Sequence, residues 1–271
     1  MKRTRLLFLF FAMFVFGQMA WAQFNSGSGT SESMAANSEK GWVASVDNGS
    51  TVTSYATFSD ALSNWGNNCT LKLLADVEIS STINVSNTRT LDLNGFGIKM
   101  LSSIYGGAAS PGSVFLLNTT GAYLTILDSN PTTTHYYTIT DAATNGAGLA
   151  KVVDQATYNA ASGTKGTFLG GYITGGRNTA DNAYGAGVHL NGNNCRLDIY
   201  GGTIIGNELI GNTTGGGGVQ IEGSYNNAKF YMYGGNIIGN RAAYGGAVYI
   251  RNGHCGCRHL LDGSLMRHLA R

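Results

Sequence analysis

A seven-residue phrase recurs three times in the chain, and this recurrence restricts the possible folds more than any other feature. GGYITGG begins at Gly170, GGTIIGN at Gly201 and GGNIIGN at Gly234, so successive copies start 31 and 33 residues apart (201 − 170 and 234 − 201). A second phrase keeps step with it. GVHL opens at Gly187, GVQI at Gly218 and AVYI at Ala247, at spacings of 31 and 29 (218 − 187 and 247 − 218). Self-similarity with a period of roughly 20 to 50 residues marks a solenoid, in which each repeat buries its apolar side only by stacking on the next.

Inside a repeat the apolar period is two. Leu197 and Ile199 alternate with Arg196, Asp198 and Tyr200, and Phe230 and Met232 alternate with Lys229, Tyr231 and Tyr233. Val188 and Leu190, Val219 and Ile221, and Val248 and Ile250 do the same around His189, Gln220 and Tyr249. That is strand alternation, and each repeat therefore supplies about three short strands parted by Gly pairs. Strands joined by corners too small for a crossover helix cannot form a doubly wound sheet, but they can coil. The expected fold is all-β: a right-handed, single-stranded parallel β-helix, one turn per repeat, with a short N-terminal capping α-helix. Ile173, Ile204 and Ile237 should then stack inside, as should Val188, Val219 and Val248. Asn207 should lie over Asn240 as a two-member amide ladder, because Gly176 occupies that place in the first copy.

The forty glycines and two prolines suit a corner-rich coil better than a helical domain. Hydrophobic residues make up 43% of the chain and are placed periodically, which argues against disorder. A formal net charge of +2 without a basic cluster gives no footprint for nucleic acid.

In chain order, residues 1–22 read as a secretory signal. Lys2, Arg3 and Arg5 precede the apolar run Leu6 to Phe16 and the small-x-small site Ala20-Trp21-Ala22. The apolar run is too short to span a membrane, so no span is expected in the mature chain. Residues 23–41 read as a flexible leader, and residues 42–69 as a strand (Trp42 to Val46) followed by the capping helix. Thr57 is the expected N-cap, with Asp60 in the first turn, and Phe58, Ala61, Leu62 and Trp65 form one apolar stripe before Gly66. The coil itself is assigned to residues 70–252. Early degenerate rungs are followed by a protruding loop at about 141–165, then by the clear repeats at 166–252. Residues 253–271 break the pattern and read as a divergent or truncated tail.

The phrases TFSDALSNW, TLKLLADVEISSTINV, RTLDLNG, GGTIIGN and GGAVYI resemble bacterial secreted proteins with a pectin-lyase-like right-handed β-helix, especially adhesin-like surface proteins. The resemblance covers residues 42 to 252. It implies secretion or display on the bacterial surface, with surface glycans or host proteins as partners. That superfamily also holds polysaccharide lyases and hydrolases, so fold alone does not choose among them. The reading favoured is a non-enzymatic adhesin-like scaffold, a piece of a larger surface protein. The alternative is a carbohydrate-active enzyme acting on acidic polysaccharide.

A lyase with bound Ca²⁺ needs several acids in neighbouring columns. Instead Asp198 aligns with Thr167 and Tyr231, and Glu208 with Arg177 and Arg241, so these carboxylates read as isolated and solvated. Asp92 and Asp128 fall in adjacent early rungs, where two acids could meet as a glycosidase pair, but both follow strand alternation, which reads equally as facing water. His254, Cys255, Cys257 and His259 cluster, but with C-x-C rather than zinc-site spacing. No catalytic residue, metal or cofactor is therefore assigned. The candidate ligand-binding face joins a basic row (Lys165, Arg196 and Lys229) to an aromatic row (Tyr200 and Tyr233, with Leu169 below). Stacked tyrosines offer a sugar an apolar body with a polar rim, or they pack on one another as cross-strand neighbours.

Overall fold

Period-two apolar residues become the inward columns of three parallel sheets that the chain visits in turn. The computed structural model describes residues 41–140, 148–179, 185–210, 215–221 and 227–251, with the backbone of His254–Cys255. Sheet 1 contains, in spatial order, Val52–Tyr55, Ala44–Asp47, Cys69–Leu73, Thr88–Asp92, Tyr123–Leu127, Arg196–Ile199, Lys229–Met232 and His254–Cys255. Sheet 2 holds Val77–Ile79, Gly97–Met100, Tyr172–Thr174, Thr203–Ile205 and Asn236–Ile238. Sheet 3 holds Ile83–Asn84, Phe115–Leu117, Val188–Leu190, Val219–Ile221 and Val248–Ile250. Within each sheet, strands from successive cycles pair parallel; only the hairpin Ala44–Asp47/Val52–Tyr55 joins sheet 1 antiparallel. The structure is thus mostly β.

Like residues meet directly. Ile173 pairs with Ile204 and Ile204 with Ile237, and this column continues downward through Ile98 and Val77. Val188, Val219 and Val248 form a second column on Phe115 and Ile83. Leu124, Leu197 and Phe230 form a third. Nearly all of these side chains are buried, and full burial of each contributes about 1.5–3 kcal/mol. The seven-residue helix Phe58–Asn64 forms where its stripe predicts. Thr57 Oγ1 accepts from the Asp60 N–H at 3.1 Å and donates to Asp60 Oδ2 at 2.6 Å. Ala61 and Trp65 are buried, Phe58 and Leu62 pack on the core, and Trp65 Nε1 donates to the Cys69 and Thr90 carbonyls at 3.1 Å each.

The corner between sheets 2 and 3 is held by side chains. Asn240 Oδ1 accepts from both the backbone N–H and the Nδ2 of Asn207, at 2.9 Å each. Asn207 Oδ1 in turn accepts from the Gly176 N–H at 2.9 Å. Asn207 Nδ2 also reaches the Ile173 and Ile205 carbonyls, and Asn240 Nδ2 the Ile204 carbonyl. The ladder has the two members that the spacing predicts. Beside it Glu208 is 1% exposed and lies between Arg177 Nε and Arg241 Nε, each 2.6 Å away.

Between Tyr123–Leu127 of sheet 1 and Tyr172–Thr174 of sheet 2 the chain makes an excursion, and here the sequence expectation needs correction. Much of the stretch assigned as a protruding loop is ordered. Thr134–Thr140 pairs antiparallel with both Leu149–Val153 and Lys165–Leu169, and the helix Gln155–Ala160 links the last two strands. Residues 141–147 lie outside the described residues. Alternation has the same period in parallel and antiparallel strands, so it could not reveal this second sheet. Asp128 fastens its neck: Oδ1 accepts from the Gly95 N–H and Oδ2 from the Gly171 N–H, both at 2.7 Å. The expected signal and leader, residues 1–40, and most of the tail also lie outside the described residues. No helix among the described residues is long and apolar enough to cross a membrane.

Asn207→Ala removes one buried acceptor and one multiply bonded donor. It should lower unfolding stability by about 2–4 kcal/mol in urea titrations with an unchanged m-value. Asn207→Asp should not rescue it, because a carboxylate would then face Asn240 Oδ1.

Candidate functional site

The outward side of each sheet meets a different fate. On sheet 2 the antiparallel excursion covers it: Ala150 and Phe168 pack with Tyr172 and Ile205, flanked by Tyr137, Ile139, Val152 and Ile238. The Ala150 N–H donates to the Gly239 carbonyl at 2.8 Å, and a side chain at Gly206 or Gly239 would run into Ala150. The glycine in GGxIIGN is therefore a contact requirement as well as a corner.

On sheet 3 the outward column is Leu116, His189, Gln220 and Tyr249. Gly185, Gly216 and Gly245, all at positive φ, lie against the Cβ atoms of His189, Gln220 and Tyr249 and leave no room for a Cβ of their own. Their spacings, 31 and 29 (216 − 185 and 245 − 216), are those of the GVxI phrase. The Gly185 N–H donates to Gln220 Oε1 at 2.6 Å, and the backbone at Gly185, Gly216 and Gly245 forms straps against the outward column, in which His189 and Gln220 are buried.

Sheet 1 keeps an open outward side among the described residues. Arg196 rises between the rings of Tyr123, one cycle below, and Tyr231, one cycle above, with its Cζ 4.9 and 4.8 Å from their centroids. A bidentate pair to Asp198 fixes it, Nε to Oδ1 at 2.8 Å and Nη2 to Oδ2 at 2.6 Å, while the Tyr123 hydroxyl donates to the same Oδ2 at 2.6 Å. The carboxylate bonds hold the guanidinium pKa above its already high value. Burial, and then the bond to Asp198, raise that of the Tyr123 phenol. Beside this clamp, Tyr200 and Tyr233 stack at 4.6 Å between centroids and 12° between planes, with Tyr231 6.2 Å from Tyr233. Tyr200 remains 50% exposed and Lys229 is exposed.

Four of the five expected ligand-binding residues, Tyr200, Tyr233, Arg196 and Lys229, therefore come together. Lys165 does not. The place below Arg196 belongs to Tyr123, and Lys165 pairs with Thr138 in the excursion. Its Nζ donates to the Tyr158 and Ala161 carbonyls at 2.7 Å each, closing the C-terminal end of the helix Gln155–Ala160. Leu169 likewise pairs with Thr134 and not beneath Tyr200. Sequence alignment missed Tyr123 because the excursion inserts a second strand followed by a Gly pair, which mimics the repeat.

The carboxylates expected to be solvated are buried instead. Asp198 is fully buried, Asp92 is 6% exposed, and Asp92 Oδ1 accepts from the Asn94 and Ser129 N–H groups at 3.0 and 2.9 Å. Asp92 and Asp128 each hold corner backbone. No group of three or more His, Cys, Asp or Glu side chains gathers among the described residues. The side chains of His254, Cys255, Cys257 and His259 lie outside them.

Burial beneath the straps brings the His189 imidazole down to about 4 from its ordinary 6.5. The unfolded chain takes up this proton near pH 6.5 and the folded chain only near pH 4. Stability is therefore full above pH 6.5 and should fall by about 3 kcal/mol as the pH drops through that window. His189→Gln, which repeats the Gln220 environment, should flatten this part of a pH series of urea midpoints. Comparison with protein families, with curated proteins and with solved structures finds no match to this chain.

Proposed function

We propose that this chain is an exported right-handed, single-stranded parallel β-helix that acts as an adhesin-like scaffold. It holds one recognition face, the outward side of sheet 1, against glycans or host-surface proteins. The observation that carries the reading is the fate of the three faces: straps cover sheet 3, a second sheet covers sheet 2, and sheet 1 displays a tyrosine stack beside Lys229. The repeat spacing, the three-sheet itinerary and the in-register columns support the coil. The basic, apolar and small-residue succession in residues 1–22 supports export to the surface or beyond.

A binding role fits the chemistry of that face better than a catalytic one. General acid–base work is done by a carboxyl, imidazole, amine or phenol whose pKa is tuned toward the working pH; burial pushes the Tyr123 and Tyr200 phenols up, away from it. Asp198 is buried and holds Arg196 and Tyr123, while Glu208, Asp92 and Asp128 hold cations or corner backbone. The groups that face water are phenol edges, half of Tyr200, part of Arg196 and the lysines Lys72 and Lys229. Because Tyr200 and Tyr233 pack on each other, a sugar would meet ring edges, hydroxyls and the exposed part of Tyr200 rather than two free ring faces.

Tyr200→Ala combined with Tyr233→Ala should abolish or cut at least tenfold the binding seen on glycan arrays or host-cell surfaces, while the circular dichroism spectrum stays unchanged. Undiminished binding by the folded double variant would remove the sheet 1 face from consideration. The unmodified chain, incubated with uronic-acid polysaccharides with and without Ca²⁺, should release no unsaturated product. Product formation would favour the lyase reading.

A further inference from the structure

The first turn contains a cation, Arg89, that makes no ion pair among the described residues. Arg89 lies in the inward register of sheet 1, between Cys69 below and Leu124 above, where every later cycle carries an apolar residue. Its guanidinium lies 5.0 Å from the Trp65 ring centroid, and Nη1 makes one long hydrogen bond, 3.4 Å, to the Asn84 carbonyl. Nε is buried without a hydrogen-bond partner. Asn87 Oδ1, two residues away, is a buried acceptor that is also unpaired, so the two do not satisfy each other. A solvated surface arginine or a core leucine would serve the scaffold better, since a desolvated donor left unpaired costs about 1–3 kcal/mol.

Arg89 lines a cleft of about 510 Å³ beneath the helix Phe58–Asn64, within the roughly 300–1,000 Å³ range of small-molecule sites. One side is apolar, made by Phe58, Leu62 and Ile83, and the other is the hydroxyl-bearing corner 80–82. Glu78 also reaches the cleft, but Lys99 Nζ lies 2.5 Å from its Oε1 and neutralises it. The lining thus offers one uncompensated positive charge, a row of hydroxyls and an apolar wall.

We infer that this cleft binds an acidic sugar, whose carboxylate engages Arg89, whose hydroxyls meet the 80–82 corner, and whose apolar ring face lies on Phe58 and Leu62. An anionic ligand would reach the guanidinium through its accessible Nη groups and form a charge-assisted pair of the forked kind that guanidinium favours. Burial already pushes the Arg89 pKa down, which is the direction expected of a cation lacking its anion. This site is separate from the tyrosine face and does not depend on it.

The test is titration of the folded chain with D-glucuronate, followed through the Arg89 Nε–H resonance and by calorimetry. D-glucose supplies the hydroxyls without the charge, and hexanoate the charge without the hydroxyls. Glucuronate should move the Nε–H signal saturably and bind at least tenfold more tightly than either control. Arg89→Gln should lose that preference. Arg89 also supports the first turn, so a second variant with the cation intact is informative if Arg89→Gln fails to fold: Thr82→Val should weaken glucuronate severalfold and leave hexanoate unchanged. Equal binding of glucuronate and glucose, equal binding of glucuronate and hexanoate, an unmoved Nε–H signal, or indifference to Thr82→Val would each overturn the assignment. Loss of glycan contact in the Tyr200/Tyr233 double variant with glucuronate binding intact would separate the two faces.

Discussion

A strand of only a few residues, laid parallel to its neighbours, cannot satisfy its own backbone. Each N–H and C=O of Arg196–Ile199 finds its partner in the cycle below or above, as do those of Thr203–Ile205 and Val219–Ile221. Inter-cycle pairing is therefore the constraint on which everything else depends. It demands that every cycle place its strands at the same height, and it rewards identical residues because identical side chains stack without gaps. The repeat in the sequence is the imprint of that demand.

Register must be specified by something more selective than apolar contact, since Ile on Val packs almost as well as Ile on Ile. The polar groups at the corners supply it. Asn207 bonds correctly only when Asn240 is one cycle above and Gly176 one cycle below. Glu208 is neutralised only when Arg177 and Arg241 arrive from the adjacent cycles. Burying that carboxylate is expensive, and breaking such a pair by removing one member costs roughly 3–5 kcal/mol. Its value lies in discrimination, because a slip of two residues, which keeps every apolar side chain inward, would leave a buried charge bare. Asp198 does the same on sheet 1, joining Arg196 to Tyr123 one cycle below.

This division explains what the sequence makes legible. Columns, corners, the Asn ladder and the Thr57-capped helix follow from period and spacing, which act along the chain or between equivalent positions. The excursion at Thr134–Leu169 does not follow, because alternation carries no sign for pairing direction, and its last strand before Gly170-Gly171 imitates the repeat phrase. Spacing alone therefore puts Lys165 in the basic row, where the fold puts Tyr123. The burial of Asp198, Asp92 and Glu208 was hidden for another reason. An outward position on a strand is exposed only if nothing crosses over it or clamps it, and crossing segments are tertiary facts. Gly185, Gly216 and Gly245 did carry a readable trace of the straps, since their spacing equals that of the GVxI strands they cover.

Covering two faces and leaving one open distributes stability unevenly over the described structure. On sheets 2 and 3 the outward residues add buried area, so Ile205 and Gln220 strengthen the fold much as core residues do. On sheet 1 the outward residues are held from the side instead. Arg196 is gripped by a carboxylate and two rings, and Tyr200 and Tyr233 restrict each other's rotamers by stacking. Side chains fixed in this way have given up much of their rotamer freedom on folding. The order of the stacked strands reaches the open face through these lateral clamps.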